Sequence, residues 1–582
     1  MYQALLVLSL ICFSSANFVK LRSNAGMFYD TMAGVPRSDE EFWLRLDINQ
    51  GLSWTLDSSY YSCNGSNVSS SLCFNSAQNV YDASNSPTAD FVDVYANTTV
   101  NNTDEASAER VNLTNNLFAD GVYMEDNFYV TLNNGARMTA TDLKFLNAHN
   151  SSAAVGSLAL GSYTSQDVPT FLQRLQSGGL IESNSFSLAL NEIDSSYGEL
   201  YLGTINSTKY VEPLVEFDFI PVSDPNGVFG FDWEDTFPTV PISGLSMSSN
   251  DKQRTVFFPN EWNNTVLTGT YPLPMMLDSR NIFIHLPFSS IIHIAVQLNA
   301  LYLDTLHKWA VNCSVGQLDA TLNFHMGNLT VHAPIKELIY PAYQGDKRLS
   351  FANGEDVCIL AMAPDVYIGY PLLGTPFLRN AVVAVNHDSK KVAVANLNRD
   401  SIPPASNVSV SESMGVYVPP PVSTSRTSER PSTLDETSTA NFDKREESAI
   451  SSSSVTNSSS RNSSTITSSG TQTEQTSGIA TIETDSIPGA LGNNLTDYST
   501  LTLTIYTNSE VDELNPNIAT AFISNGSIYS EPYPFSGTAV AESFSASPSQ
   551  AEGSNSSSSG SSLVLCFFTS LASLLTVSCL LL

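Results

Sequence analysis

The chain has 582 residues, with 57 acidic and 25 basic side chains and a formal charge of −32. Such an acid excess excludes nucleic acid as a partner, because phosphate binding needs a basic face, and it argues against charge-driven docking on anionic lipid. At 42% hydrophobic and 10% aromatic residues the chain is not wholly disordered, and its length allows two to four domains.

Residues 2–13 form a short apolar run, followed by Ser14 and Ala16. This reads as a secretory signal, residues 1–16, cut after Ala16. A short N-terminal segment, 17–41, follows. Residues 41–397 carry alternating apolar runs bounded by Gly, Asn, Asp and Pro: FWLRLDI, LSWTLD, FYVTL, SFSLAL, GELYLG, NIFIHLP, VVAVN and KVAVAN. Period-two alternation of this kind marks strands. Helical spacing occurs at 168–181, stopped by Gly178 and Gly179, and at 288–303, where Ser289 is the expected cap. The expected class is mainly β.

Beyond residue 400 the composition turns Ser/Thr-rich with Pro, as in an O-glycosylated stalk over 401–553. A more apolar patch, 498–540, is either a local fold or a linker. Lys444-Arg445 is a dibasic pair in this stretch. Residues 563–582 are uncharged and apolar, preceded by a Ser/Gly spacer and by Gly553, Ser554 and Asn555. Small residues, spacer and apolar tail together read as a glycolipid-anchor signal over 554–582, whose tail is removed. The expected location is therefore the outer face of the plasma membrane or the cell wall.

Cys12 goes with the signal, and Cys566 and Cys579 with the tail. Cys63, Cys73, Cys313 and Cys358 remain, an even number that implies disulfides in a secreted chain. Three pairings are possible; proximity along the chain favours Cys63–Cys73 and Cys313–Cys358. Sixteen Asn-x-Ser/Thr sequons run from Asn64 to Asn555, a density suited to a glycosylated surface protein.

Two Asp-Ser dipeptides follow hydrophobic strands, Asp57-Ser58-Ser59 and Asp278-Ser279-Arg280. Each lies near the start of one half of the globular region. Two carboxylates brought into contact cannot both ionise easily, so one keeps a proton. The ionised member activates water and the protonated one donates to the substrate carbonyl. That chemistry hydrolyses amides without metal or cofactor, and neither is expected. His-Glu-x-x-His, Gly-x-Ser-x-Gly and Walker-type loops are absent from the sequence. His285 and His293 read as surface or core residues.

At these residues the chain resembles the pepsin-like aspartic proteases, and more narrowly the yapsins, fungal proteases with a lipid anchor. The resemblance covers about residues 42–397. FWLRLDIN (42–49) is similar to the opening strand, and LSWTLDSS stands where the family has an apolar strand ending in Asp-Thr-Gly. AVGSLALG (154–161), FLQRLQSGGLIESNSFSLAL (171–190), SSYGELYLGTINSTKYVEPL (195–214), MMLDSRNIFIHLP and PLLGTPFLRNAVVAVNHDSKKVAVAN (371–396) carry the rest. NCSV and VCIL match the segments that hold the family's second disulfide.

The resemblance implies a bilobal fold, with lobes 42–210 and 211–400. Asp57 and Asp278 are then the catalytic pair, Ser58 and Ser279 the braces, and Phe118 the flap ring. Ser59 and Arg280 replace the glycines that end the family's triplets, so both perturb the site. A positive Arg280 aimed at the carboxylates would favour their ionised forms and disturb the shared proton. The resemblance implies an endopeptidase, expected to be monomeric, acting at acidic pH on protein or peptide substrates near basic residues. The alternative is a pseudoprotease that keeps the cleft for binding or wall architecture.

Overall fold

A computed structural model describes residues 17–402 apart from stretches of which 59–79, 226–236 and 250–270 are the longest, together with 416–417, 478–506 without 496–497, and 520–530 without 525–526. These fall in one compact unit that takes in Met1–Pro420 and Ser477–Leu582. The signal, Ser59, Cys63, Cys73, the dibasic pair and the anchor motif at Gly553, Ser554 and Asn555 lie outside the described residues. Among the described residues no helix is long and apolar enough to cross a membrane.

The fold is mainly β. In the first half, Glu41–Asp47 alternates so that Phe42, Leu44 and Leu46 enter the core. It pairs antiparallel with Phe28–Gly34, which pairs with Val19–Asn24. Residues 17–41 are therefore not a separate leading segment. Their alternation (Val19 and Leu21 buried, Lys20 and Arg22 outward) gives them two places in the sheet. A long hairpin, Phe118–Thr131 against Arg137–Ser151, supplies the largest strand pair.

The helix Phe171–Ser177 begins at Thr170, whose hydroxyl accepts from the Gln173 backbone while the Gln173 side chain accepts from the Thr170 backbone. That reciprocal capping, with Gly178 closing the other end, is what the sequence pattern encodes. The second helix is shorter than its pattern suggests. Phe288–Gln297 starts after Pro287, with Ser289 inside its first turn. Asn299 takes a left-handed conformation at φ 52°, a common way to end a helix. Leu301–Leu303 is then a strand.

The second half repeats the plan. Leu273–Leu277 pairs with Leu372–Leu373, and Cys313 is joined to Cys358. The halves are tied by Ser185–Ala189 pairing with Ala381–Asn386, which pairs with Lys391–Leu397. Arg379, fully buried, donates to the Gly26 carbonyl and to Glu337, binding the N-terminal strands to the second half.

The Ser/Thr-rich region is not stalk throughout. Ile479–Thr481, Leu491–Gly492 and Leu503–Thr504 add strands to Thr204–Asn206, Tyr210–Asp218 and Val222–Ser223. Thr520–Ser524 and Ser527–Ser530 form a hairpin, the first strand pairing with Leu301–Leu303. Ile482, Ile487, Leu503 and Ile505 are each at most 3% exposed. Here the backbone hydrogen bonds come from sheet edges far away in sequence, which composition does not reveal.

Candidate active site

Each half presents one loop after a buried strand. In the second half, Asp278 follows Leu277 and its amide donates to the Leu373 carbonyl at 3.0 Å. Its Oδ1 accepts from the Arg280 backbone at 2.7 Å, and the residue is fully buried. Gly374 closes over this loop: a Cβ there would lie 2.2 Å from the Phe283 carbonyl oxygen and 2.4 Å from that of Asn281. Only glycine allows that approach.

The first half repeats this arrangement at Asp47. Asp47 ends a buried strand that runs parallel to Ser157–Ala159, as Leu277 runs parallel to Leu372–Leu373. Its Oδ1 accepts from the backbone amides of Asn49 at 3.1 Å and Gln50 at 3.0 Å. Gly161 closes over the loop, where a Cβ would lie 2.1 Å from the Asn49 carbonyl oxygen. Asp47 is 2% exposed.

One side chain joins the two loops. The Ser279 hydroxyl donates to the Leu46 carbonyl at 2.8 Å and accepts from the Ile48 amide at 3.2 Å. These bonds bracket Asp47. The second-half motif therefore meets Asp47-Ile48-Asn49, not Asp57-Ser58. Ile48 has no hydroxyl with which to return the brace, so the bridge is one-sided.

Asp57 lies elsewhere. It ends the strand Trp54–Asp57, opposite Tyr81, and its Oδ2 accepts from Asn147 Nδ2. It is three residues past Trp54, about 10 Å along the strand. Ser58 follows it, its amide donating to the Tyr81 carbonyl at 3.0 Å. The sequence points to Asp57 because it keeps the Asp-Ser dipeptide. The signal that points to Asp47 is the matching frame: an apolar alternating strand ending in Asp, then Trp54 seven residues on.

Arg280 turns inward. Its side chain is 4% exposed, with Nε 3.8 Å from Asp47 Oδ2 and Nη1 donating to Ser157 Oγ at 2.9 Å. Ser157 Oγ lies 3.3 Å from the same Asp47 oxygen, and the guanidinium sits 5.7 Å over the Trp54 ring. Burial lowers the Arg280 pKa, and the charges of Asp47 and Asp278 oppose this. Tyr370, fully buried behind the loops, has its phenol pushed well above the ordinary range by burial and then by the charges of Asp278 and Asp47. The positive centre thus stands among the carboxylates.

Phe118 opens the strand Phe118–Thr131 and faces Asn112 across a hairpin with Ala108–Asn112; residues 113–117 lie outside the described set. The Arg110 guanidinium lies 3.9 Å over its ring. Tyr123 is buried with Trp54 and Leu56. His285 is a core residue, its Nδ1 3.2 Å from the Pro364 carbonyl; burial and Lys308 push it down to about 3.

His387 supports the first loop from behind. Its Nε2 donates to the Leu160 carbonyl at 2.8 Å, beside Gly161, and burial pushes it down to about 4. The unfolded imidazole binds its proton near the ordinary value of about 6.5. Between that pH and about 4 the unfolded state holds more protons, so stability falls as pH drops through this window. The loss approaches about 3 kcal/mol when complete. His387→Gln is expected to flatten the Tm-against-pH curve between pH 7 and 4; an unchanged slope in the variant counts against this account.

A model of the family described as "Eukaryotic aspartyl protease" matches residues 58–397. The chain belongs to this family of pepsin-like aspartic proteases. Aspartic proteinase yapsin-7 of Saccharomyces cerevisiae is 30% identical over 251 residues, 41% of this chain and 39% of its own. The probable aspartic-type endopeptidase opsB of Aspergillus oryzae is 28% identical over 293 residues, 49% of this chain and 54% of its own. Yapsin-3 of Saccharomyces cerevisiae is 24% identical over 299 residues, 48% and 52%. The chain thus spans about half or less of these relatives' lengths. The matched family region begins at 58, after the Asp47 loop, and ends at 397, before the C-terminal strands.

Proposed function

We propose that this protein is a yapsin-type aspartic endopeptidase of the cell surface with slow intrinsic turnover, using Asp47 and Asp278 as its carboxylate pair. The observation that carries this reading is the Ser279 hydroxyl held between Leu46 and Ile48, which brings the two loops together at those residues. In the reaction, one carboxylate of the pair takes a proton from water as it attacks the scissile carbonyl. The other carboxyl gives its proton to the carbonyl oxygen. Ser279 sets the spacing of the loops, and Gly161 and Gly374 let the backbone close over them.

Substrates are secreted or wall proteins cut near basic residues; the charge of −32 is complementary to them. In this reading a secretion signal takes the head out of the cell and a lipid anchor keeps it there, with glycans on its surface. The Cys313–Cys358 disulfide supports an oxidising compartment. The head acts as a monomer.

A second reading is favoured by one contact. Arg280 is paired with Asp47, its Nε 3.8 Å from Oδ2, and a carboxylate held by a cation is not free to work with Asp278 on water and substrate. A pseudoprotease would keep the peptide-binding cleft without hydrolysis. Incubating the purified chain with basic peptides from about pH 3 to 6 separates the two. Cleavage that disappears in Asp278→Asn supports the peptidase. Peptide binding without any cleavage supports the pseudoprotease.

A further inference from the structure

The strand that presents Asp278 is backed by a segment lying beyond the family fold. Leu503 and Ile505 are buried with Val222, Phe237, Met276, Ile368, Tyr370 and Leu372. Met276 lies two residues before Asp278, Leu372 belongs to the strand whose Leu373 carbonyl accepts from the Asp278 amide, and Tyr370 lies just before that strand. Three backbone bonds seat the segment. Leu503 donates to the Pro221 carbonyl at 2.8 Å, Ile505 to that of Ser223 at 2.8 Å, and Tyr506 to that of Gly369 at 3.0 Å. The Tyr506 hydroxyl also hydrogen-bonds the Asp365 carboxylate, at the head of the turn that leads into Tyr370. The segment thus ties Val222–Ser223 to residues 365–370.

We propose that residues 501–506 are a strap that holds the Asp278 loop in its working position, and that Tyr506 is a positioning residue of the peptide-cleaving site. This rests on the reading that Asp278 belongs to the carboxylate pair. The physical argument is the economy of contacts behind the loop. Asp278 follows a five-residue strand that pairs antiparallel with Thr239–Ile242 on one side and, over only two residues, in parallel with Leu372–Leu373 on the other. On the parallel side so short a ladder leaves much of the positioning to packing. Leu503 and Ile505 supply that packing, and Tyr506 fastens their end to the turn entering Leu372. A site that must hold two carboxylates to within about half an ångström needs such support.

Tyr506→Phe removes only a hydroxyl and leaves the buried strap in place, so the chain folds. The test compares it with the unmodified chain, both also carrying Arg280→Gly, by two readouts. One is amide hydrogen exchange at Met276, Leu277 and Asp278. The other is the affinity for a statine-containing peptide, which mimics the hydrolytic transition state. The proposal expects exchange at those three amides to speed up at least tenfold and affinity to fall at least tenfold, with Leu46 and Ile48 unchanged. Faster exchange confined to residues 365–369 and 503–506, with Asp278 and affinity unmoved, overturns it and leaves the tyrosine a merely structural role. Should the parent bind no statine peptide, the carboxylate-pair reading fails, and exchange at Asp278 alone then decides whether the strap positions the loop.

Discussion

Replacing Arg280 with glycine is expected to raise the rate of peptide hydrolysis about a hundredfold at pH 4, the scale on which a restored general acid acts. The guanidinium lies 3.8 Å from Asp47, wholly inside the protein, with Ser157 holding its far end. There it engages one of the two carboxyls that must work together on water and substrate. The substitution removes that charge and restores the small residue that the family's triplet carries at this place. It also leaves Asp47 and Ser157 without a partner they now have, so some stability is lost. Rate and stability are measured separately: initial rates on a basic peptide, and Tm. Lys in place of Arg280 keeps the charge and should keep the slow rate. A glycine variant no faster than its parent would remove Arg280 as the brake.

Ending the chain at residue 402, where the family fold is complete, is expected to lower Tm by about 5 °C or more. Ile482 and Ile487 pack on Ile205, Tyr210, Leu214 and Leu397, and Leu503 and Ile505 on Val222, Met276 and Leu372. Each buried Leu or Ile is worth about 1.5–3 kcal/mol relative to exposure, offset by the cost of ordering the strap. A net loss near 4 kcal/mol corresponds to a shift of about 5 °C in a domain of this size. Truncation also leaves the edges of Thr204–Asn206, Tyr210–Asp218 and Val222–Ser223 without their added strands, so the shortened protein should aggregate more readily. Thermal unfolding of chains ending at 402 and at 530 measures this directly. Equal midpoints would mean that the C-terminal strands contribute nothing to the fold.

Much of this was legible in the residues. Strand alternation in Glu41–Asp47, the helical spacing stopped at Gly178, and the Leu-Gly-x-x-Phe-Leu-Arg run at 373–379 each report a local rule, and each forms as written. The second loop was readable because Asp278-Ser279 kept both carboxylate and hydroxyl. The first loop was not, because Ile48 and Asn49 replace the hydroxyl and the glycine, while Asp57-Ser58 ten residues on imitates the dipeptide. What separates them is a contact across 231 positions, Ser279 to Ile48, and no local pattern encodes it. The C-terminal strands were half legible, since 498–540 reads as either a local fold or a linker. Leu503 and Ile505 alternate as in a strand, but Ile482 and Ile487 keep no period, and the strands near them, two or three residues long, exist only where an edge is already waiting.

The most direct measurement compares Asp47→Asn with Asp57→Asn, each made in the Arg280→Gly chain and assayed on the same basic peptide. If Asp47 and Asp278 are the pair joined by Ser279, the first substitution abolishes cleavage and the second leaves the rate within about twofold. Loss of cleavage in the Asp57 variant, with the Asp47 variant still active, would contradict the account.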